Sequence, residues 1–273
     1  MQSFVVGRYN FNSLFKEEAN ETFIRDLFKE PYIDEEKFEY ALGNITTEEY
    51  QEVRILRGTF GRMRKGGMAE IYDKDKMEFK KEELPEFADA ILEFIIIHEY
   101  HLIFVEYNSI ITPHYFANKF SKIYSNASSL ADLEIEYIFL EKDVYETIKT
   151  WETVDRVVFN NLRPSNPSST DTFRDIEKLL KDANSGKADI TLRAPKSKKT
   201  TKFSTGLNAD SMIIRQGLAL SSHGYGEAKF EGIEKKKRAI VETKRFLKRV
   251  DLNFQEEKAL DMIVRTIKEV SNK

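Results

Sequence analysis

The strongest constraint on the fold is the stretch of residues 88–107, which is the most hydrophobic part of the chain and is rich in Ile, Phe and Val. These residue types favour strands, so we interpret the stretch as one long core strand or two strands paired in a hairpin. Thr112 followed by Pro113 is typical of a helix start. The elements predicted after this stretch are that helix, a strand at 133–140, a helix at 142–151 and a strand at 154–162. The order predicts an α+β fold, a mostly antiparallel sheet with helices packed on one face and ferredoxin-like elements in its central part.

The flanking regions give weaker patterns of the same kind. Before residue 88 we predict a strand at 4–9, a helix that Pro31 ends, a short helix at 34–42, and strands at 53–60 and 68–79 joined by a turn at residues 65–67. After residue 162 we predict a helix, a strand at 188–194, a helix at 209–221, a strand at 224–232 and a last helix at 254–270. We therefore expect an N-terminal helical and hairpin lobe (1–87) and an α+β lobe with a basic C-terminal region (88–273), or one continuous domain.

The amino-acid composition excludes several kinds of functional site. The chain of 273 residues has no cysteine, which excludes a disulfide framework, a thiolate zinc site and a Cys nucleophile. Its N-terminus has no charged segment followed by a long apolar run, and no apolar run elsewhere is long enough to span a bilayer. We therefore expect a cytoplasmic protein without a membrane partner.

Charge is distributed unevenly along the chain. Residues 187–249 contain 16 Lys or Arg against 6 Asp or Glu, although the whole chain has a net charge of −3. This asymmetry predicts a surface that faces a polyanion on an otherwise acidic body. DNA or RNA is the expected partner, and an acidic protein surface is the alternative.

Three basic segments are candidates for contacts with phosphates. Basic residues beside glycines allow a backbone phosphate to approach closely, and flexible lysines can follow a phosphate backbone. The candidate nucleic-acid-binding residues are Arg57, Arg62, Arg64 and Lys65 in the first segment, Lys196, Lys198, Lys199 and Lys202 in the second, and Lys236, Lys237, Arg238, Lys244 and Arg245 in the third. A solvated charged face, or charges that protect an edge hairpin, would give the same pattern.

One set of residues predicts catalysis. Glu227 and Lys229 share one face of a predicted strand, and with Asp210 they resemble the arrangement in which two carboxylates hold Mg²⁺ while a lysine steadies water or phosphate. An ordinary ion pair on the strand surface is the alternative. No cofactor is predicted outside this magnesium hypothesis. The spacing of His98 and His101 argues against a metal site unless the two form a turn.

Four short sequence motifs suggest a relationship to known proteins. RGTFGRM (57–63), EIYDK (70–74), LRPSNP (162–167) and GYG (224–226) together resemble a family of bacterial proteins of unknown function found among mobile-element and phage-defence genes. The resemblance covers about residues 50–235. It implies a bacterial intracellular setting and a role in defence or in handling foreign nucleic acid, and it assigns no functional residue.

The sequence thus supports three hypotheses of different classes. The preferred one is a bacterial intracellular nucleic-acid-associated protein, such as a subunit of a phage-defence or mobile-element system, that binds through basic loops. The second is a metal-dependent nuclease that uses Asp210, Glu227 and Lys229. The third is a scaffold or inhibitor that docks on a partner protein.

Overall fold

The computed structural model describes residues 2–12, 16–73, 78–165, 171–195, 206–254 and 258–271. In chain order the elements are β1 (Gln2–Asn12), α1 (Lys16–Leu27), β2 (Tyr32–Asp34), β3 (Phe38–Tyr50), β4 (Val53–Arg64), β5 (Gly67–Asp73), β6 (Glu78–Leu84), β7 (Phe87–Ile97), β8 (Leu102–Glu106), α2 (Pro113–Ala127), β9 (Asp132–Tyr137), α3 (Glu141–Lys149), β10 (Thr153–Leu162), α4 (Arg174–Asp182), β11 (Ala188–Arg193), α5 (Met212–Ser222), β12 (Glu227–Glu234), β13 (Lys237–Glu242), β14 (Arg249–Leu252) and α6 (Lys258–Ser271). The α+β class is confirmed, and every strand pairing among these elements is antiparallel.

The larger sheet has eight strands in the order β14-β1-β8-β7-β4-β3-β2, with β9 also paired to β1. Residues 4–8 of β1 pair with β8, residues 2–5 pair with β14 and residues 7–12 pair with β9. Because a strand has only two edges, β14 and β9 lie end to end along one edge of β1. The N-terminal strand therefore joins elements from the middle and the end of the chain.

Helices cover both faces of this larger sheet. On one face α1 and α2 pack their apolar side chains, including Phe23, Phe116 and Phe120, against the strands. On the other face α6 does so through Ile263 and Ile267. The helix start predicted at Thr112 is confirmed, since its hydroxyl accepts a hydrogen bond from the backbone N–H of Tyr115 at 3.3 Å.

The smaller sheet has the strand order β11-β10-β12-β13. Its buried face forms a separate core with α3, α4 and α5, in which Phe159 and Phe230 of the strands meet Val144, Ile176 and Leu218 of the helices. Helices thus cover one face of this sheet, as predicted for the whole fold, and among the described residues no hydrophobic core covers the other, more open side. In the following sections the open side is called the outer face.

The predicted order of strand, helix, strand, helix and strand between residues 88 and 162 is confirmed, but its members are divided between the two sheets. β9 pairs with β1 in the larger sheet, whereas β10 pairs with β11 and β12 in the smaller one. The predicted lobe boundary at residue 87 lies at the start of β7, and β7 pairs with β4 from before that boundary.

Two local predictions were wrong. Residues 34–42 were predicted as a helix, but they form β2 and the start of β3, and Ile33, Tyr40 and Leu42 are buried in the core. Alternate apolar positions in a short segment fit a half-buried strand as well as a helix, and the neighbouring strand β4 decided between them. The predicted hairpin at residues 65–67 does not join paired strands, because β4 pairs with β7 while β5 and β6 form a separate hairpin between them. None of the helices in the described part of the chain is long and apolar enough to cross a membrane.

Candidate functional site

The smaller sheet concentrates charged residues at two opposite ends. One end, called here the basic end, carries Arg156, Arg193, Lys235, Lys236, Lys237 and Arg238. Arg156 and Arg193 are register partners on β10 and β11, and Arg238 is the register partner of Ile233 on β12. The other end, called here the carboxylate end, consists of Glu134 and Glu136 on β9 together with Arg163 and Glu227.

The basic end is shaped by the turn between β12 and β13. Glu234 and Lys237 close a two-residue loop whose central residues, Lys235 and Lys236, both have positive φ angles of 49° and 63°. This is the arrangement of a type I′ turn, which Asn-Gly adopts most easily and which costs energy for residues with long side chains. The backbone of the turn is held in place because the Lys236 N–H donates to Glu152 Oε1 at 3.1 Å.

The chain flanking the second basic segment starts and returns at the basic end. The Ala194 N–H donates to the Asp155 carbonyl at 2.8 Å, and the Leu207 N–H donates to the Val154 carbonyl at 2.6 Å. The predicted phosphate contacts Lys196, Lys198, Lys199 and Lys202 lie between these two anchors, outside the described residues. The described residues on both sides of the second basic segment therefore lie at the same end of the sheet as the Lys235-Lys236 turn.

The basic end is only partly neutralised. Glu231 accepts hydrogen bonds from Arg238 at 3.0 Å and Arg156 at 3.4 Å, and Lys229 lies 3.5 Å from it. Burial raises the pKa of Glu231, but these cations outweigh burial, so its pKa is below the ordinary value. Arg193, Lys235 and Lys237 are exposed and form no ion pair with another described residue. Several positive charges thus remain open to solvent.

The first predicted basic segment is largely neutralised instead. Arg62 makes two hydrogen bonds of 2.8 and 2.7 Å to Asp89, and Arg57 bonds Glu93 at 3.3 Å while lying 3.7 Å from the ring centre of Phe254. Lys65 pairs with Asp34. Arg64 is exposed beside a shallow cleft of about 310 Å³ that Phe87 and Met68 also line.

The remaining predicted basic residues have mixed surroundings. Lys244 pairs with Glu242 at 2.9 Å, and Arg245 is exposed. The assignment of all these residues to nucleic-acid binding stays a prediction, and the structure gives the basic end more unpaired cations than the first segment.

The three predicted catalytic residues have different neighbours. Glu227 and Lys229 point to the same face of β12, as expected from the period of two, but Lys229 lies 3.5 Å from Glu231 and 3.8 Å from Glu242. Asp210 precedes α5, accepts a hydrogen bond from the Tyr145 hydroxyl and lies 4.0 Å from Lys149. Among the residues that the structure describes, no group of three or more His, Asp or Glu side chains is placed to hold a metal ion.

Glu227 instead lies near enough to a buried carboxyl group on β9 for its negative charge to affect that group. The residue Glu136 is 8% exposed, and burial raises its pKa to about 7, with a further contribution from the negative charge of Glu227. Burial also lowers the pKa of His114 at the start of α2, and Glu227 counteracts that effect. The negative charge of Glu227 on β12 therefore acts both on Glu136 of the carboxylate end and on His114 of α2.

Arg163 supplies the positive charge of the carboxylate end. Its side chain is 6% exposed, its Nη2 bonds Glu134, and Lys187 also lies 3.2 Å from Glu134. The Arg163 Nε is buried and has no hydrogen-bond partner among the described residues. Sequence reasoning missed this cluster, because the alternation of Glu134 and Glu136 with apolar neighbours is also what an ordinary solvent-exposed strand face would show.

The GYG motif (residues 224–226) connects the two sheets beside this cluster. Gly224 has a φ of 80°, and an added Cβ would lie 2.8 Å from Arg8 Cβ and 3.1 Å from the Glu136 carbonyl oxygen. Arg8 donates from Nε to the His223 carbonyl at 2.9 Å and lies 4.9 Å from the ring centre of Tyr225. The close approach explains why a glycine stands at position 224.

The two histidines considered for a metal site form an aromatic stack. His98 and His101 do lie at a turn, but their ring centres are 6.2 Å apart and nearly parallel, with Tyr9 and Phe23 in the same stack. The Tyr9 hydroxyl is hydrogen-bonded to His98 Nδ1 at 2.7 Å, and burial lowers the pKa of His101 to about 4. The pair thus has a structural place in the core.

Comparison with known proteins adds a family but no activity. No curated protein sequence matches the chain significantly. A family model does match, and it spans nearly all of both sheets, from residue 10 to residue 269. The chain therefore belongs to the family described as Domain of unknown function (DUF4747).

Proposed function

We propose that this protein binds nucleic acid through the phosphate backbone at the basic end of its smaller sheet. The observation that carries the proposal is the turn at Lys235 and Lys236, where two lysines occupy backbone positions that favour Asn-Gly. A conformationally costly residue pair at an exposed turn calls for a reason other than folding. Cations presented at the tip of a hairpin supply one.

A second turn in the same molecule helps to separate the role of the turn conformation from the role of the positive charge. Gln51 and Glu52, between β3 and β4, also have positive φ angles of 50° and 65°. This chain therefore uses side-chain-bearing residues in such turns at two places. The Lys235-Lys236 turn carries two cations and is followed by Lys237 and Arg238, whereas the Gln51-Glu52 turn carries none, so the combination of turn and charge supports the proposal.

The chemistry at the basic end suits phosphate groups. Arginine and lysine side chains that are exposed and unpaired can each replace a condensed counterion of the nucleic acid, and their release favours binding. Such contacts position the protein on the backbone without reading the sequence. We further propose, on the resemblance described above, that this binding serves a bacterial intracellular defence or mobile-element function.

The test replaces both lysines by the pair that the turn prefers. In the double variant Lys235→Asn with Lys236→Gly, two cations are lost while backbone strain is relieved. We expect the slope of log affinity against log salt for a nucleic-acid oligomer to become shallower by about two. We also expect the free energy of unfolding to stay the same or to rise by up to about 1 kcal/mol.

The matched control is the other turn. Gln51→Asn with Glu52→Gly relieves the same kind of strain and removes one anion and the hydrogen bond from Gln51 to Asp261 but no cation, so it should not make the salt slope shallower. An unchanged slope in the lysine variant, or no salt-sensitive binding by the original chain, would contradict the proposal. A protein complex that survives nuclease treatment would favour the scaffold hypothesis instead.

A further inference from the structure

The described strands of the smaller sheet present no aromatic platform for stacking bases on the outer face. Its four strands, all within the described residues, contain two aromatic side chains, Phe159 and Phe230, and both are fully buried in the core with α3, α4 and α5. Sheets that bind single strands present aromatic rings on which successive bases stack. The described part of this sheet therefore offers a nucleic acid charged contacts and no aromatic ring on which a base can stack.

The charges in the middle of the outer face are paired with one another. Glu231 and Glu242 lie there on β12 and β13, Lys229 is 3.5 and 3.8 Å from them, and Arg156 on β10 bonds Glu231 at 3.4 Å. A phosphate backbone lying across this part of the face would have to compete with these ion pairs. The most exposed cations are found at the outer strands instead, with Arg193 at the end of β11 and Arg238 near the start of β13.

The two edge strands, β11 and β13, are called here the rims of the outer face. The distance between them indicates the form of the nucleic acid. Arg193 and Arg238 stand on the two edge strands of a four-stranded sheet. With neighbouring strands about 4.8 Å apart, three intervals separate the two edge strands by about 14 Å, and Arg238 lies two residues along β13 from Ile240, the residue level with Arg193. This separation is similar to the width of the major groove of duplex DNA, about 12 Å, across which the phosphates of two strands face each other.

We infer that the preferred ligand is duplex DNA, gripped with one rim on each strand and without sequence specificity. This inference rests on the proposed function. Arg193 contacts phosphates of one strand, and Arg238 with the Lys235-Lys236 turn contacts phosphates of the other. Contacts of this kind fix the protein on the backbone and carry no base information.

The experiment compares duplex and single-stranded DNA. Fluorescence anisotropy of the full chain would be measured with a labelled random-sequence duplex of about 20 base pairs and with oligothymidine of the same length, between about 50 and 200 mM salt. We expect the duplex to bind at least about tenfold more tightly, with a steeper salt slope.

Single-site variants test the two rims separately. Arg193→Gln and Arg238→Gln should each make the duplex salt slope shallower by about one, and together they should remove most of the duplex preference. Arg265→Gln is the matched control. Arg265 is 75% exposed and paired with Glu269, as Arg238 is 72% exposed and paired with Glu231, but Arg265 lies on α6 of the other sheet.

The outcomes are separable. If oligothymidine binds as tightly as the duplex and with a similar salt slope, the preference for duplex DNA is wrong, while the proposed function stands. If neither DNA binds in a salt-sensitive way, both are wrong. If the two rim variants behave like Arg265→Gln while the duplex is still preferred, the straddling arrangement is wrong. Thermal unfolding of each variant establishes that the fold is intact.

Discussion

At one end of the smaller sheet Arg238 pairs with Glu231 and keeps 72% of its side chain in solvent, whereas at the other end Arg163 pairs with Glu134 and keeps 6%. The basic end adds exposed cations that no described residue neutralises. The carboxylate end places Glu136 in the junction with the larger sheet, where burial raises its pKa. The same types of residue therefore lie on an open surface at one end and inside a joint between sheets at the other.

The comparison shows that the environment, more than the residue type, sets the energetic role of a charge. In solvent an ion pair contributes little to stability, and its groups remain available to a ligand. In a buried joint each charge depends on its partner, and removing one partner leaves the other desolvated. We therefore expect substitutions at the basic end to affect binding and substitutions at the carboxylate end to affect folding.

The largest expected difference concerns the two arginines. Arg163→Leu removes a buried charge-assisted hydrogen bond to Glu134, which keeps Lys187 as a partner, so we expect the free energy of unfolding to fall by about 2 kcal/mol. Arg238→Leu removes an exposed partner of Glu231 and should cost less than about 1 kcal/mol. Urea denaturation of both variants measures the difference. Equal losses would show that the two ends do not differ as described.

The next comparison replaces one glutamate by glutamine at each end, and we expect opposite effects on the free energy of unfolding. The folded pKa of Glu136 is raised to about 7, so the folded state binds more protons than the unfolded state between about pH 4.5 and 7, and stability falls as pH rises through that window. Glu136→Gln keeps the neutral form at every pH. We expect it to stabilise the fold by about 1–3 kcal/mol at pH 8 and by much less at pH 4.5.

Glu231→Gln should act in the other direction. The folded pKa of Glu231 is lowered, so its contribution is present above the unfolded pKa and is lost as pH falls through the folded value. At pH 7 the variant should be less stable than the original chain by up to about 1 kcal/mol, and the difference should disappear in acid. Thermal unfolding across about pH 2 to 8 checks both variants, and the same sign in both would contradict the contrast.

The smallest expected effect tests whether Glu227 belongs to the carboxylate end. Its negative charge raises the pKa of both Glu136 and His114. Glu227→Gln should therefore lower both pKa values, which NMR titration can follow. Asp210→Asn should change neither, because Asp210 bonds Tyr145 at a different place. Shifts caused by Asp210→Asn would instead join Asp210 to Glu227, as the nuclease hypothesis requires.

Local signals explain what could be predicted from the sequence. Thr112 and Pro113 identify a helix start because capping depends on residues adjacent in the chain. The excess of positive charge in residues 187–249 indicated the basic end for a similar reason, because charged residues can be counted in the sequence without knowing the fold. The alternation of Glu227 and Lys229 likewise follows from strand geometry.

The rest depended on contacts between distant parts of the chain. Glu136 is buried because the connector at Gly224 packs on β9, and nothing near Glu136 in the sequence indicates this contact. The partner of Asp210 is on α3, which the sequence did not relate to it. The segment at 34–42 became a strand because β4 offered a pairing edge, and local pattern alone could not distinguish strand from helix there.

The pairing of β1 with β14 has a consequence for the order of folding. Phe4 is the register partner of Val250, so the first strand of the chain is completed by one of the last. During synthesis the edge of β1 that β14 later occupies stays unpaired while more than two hundred residues follow it. Contacts between such distant segments slow folding and expose a strand edge to other chains. We therefore expect the nascent chain to be most prone to aggregation until residues 249–252 have emerged from the ribosome.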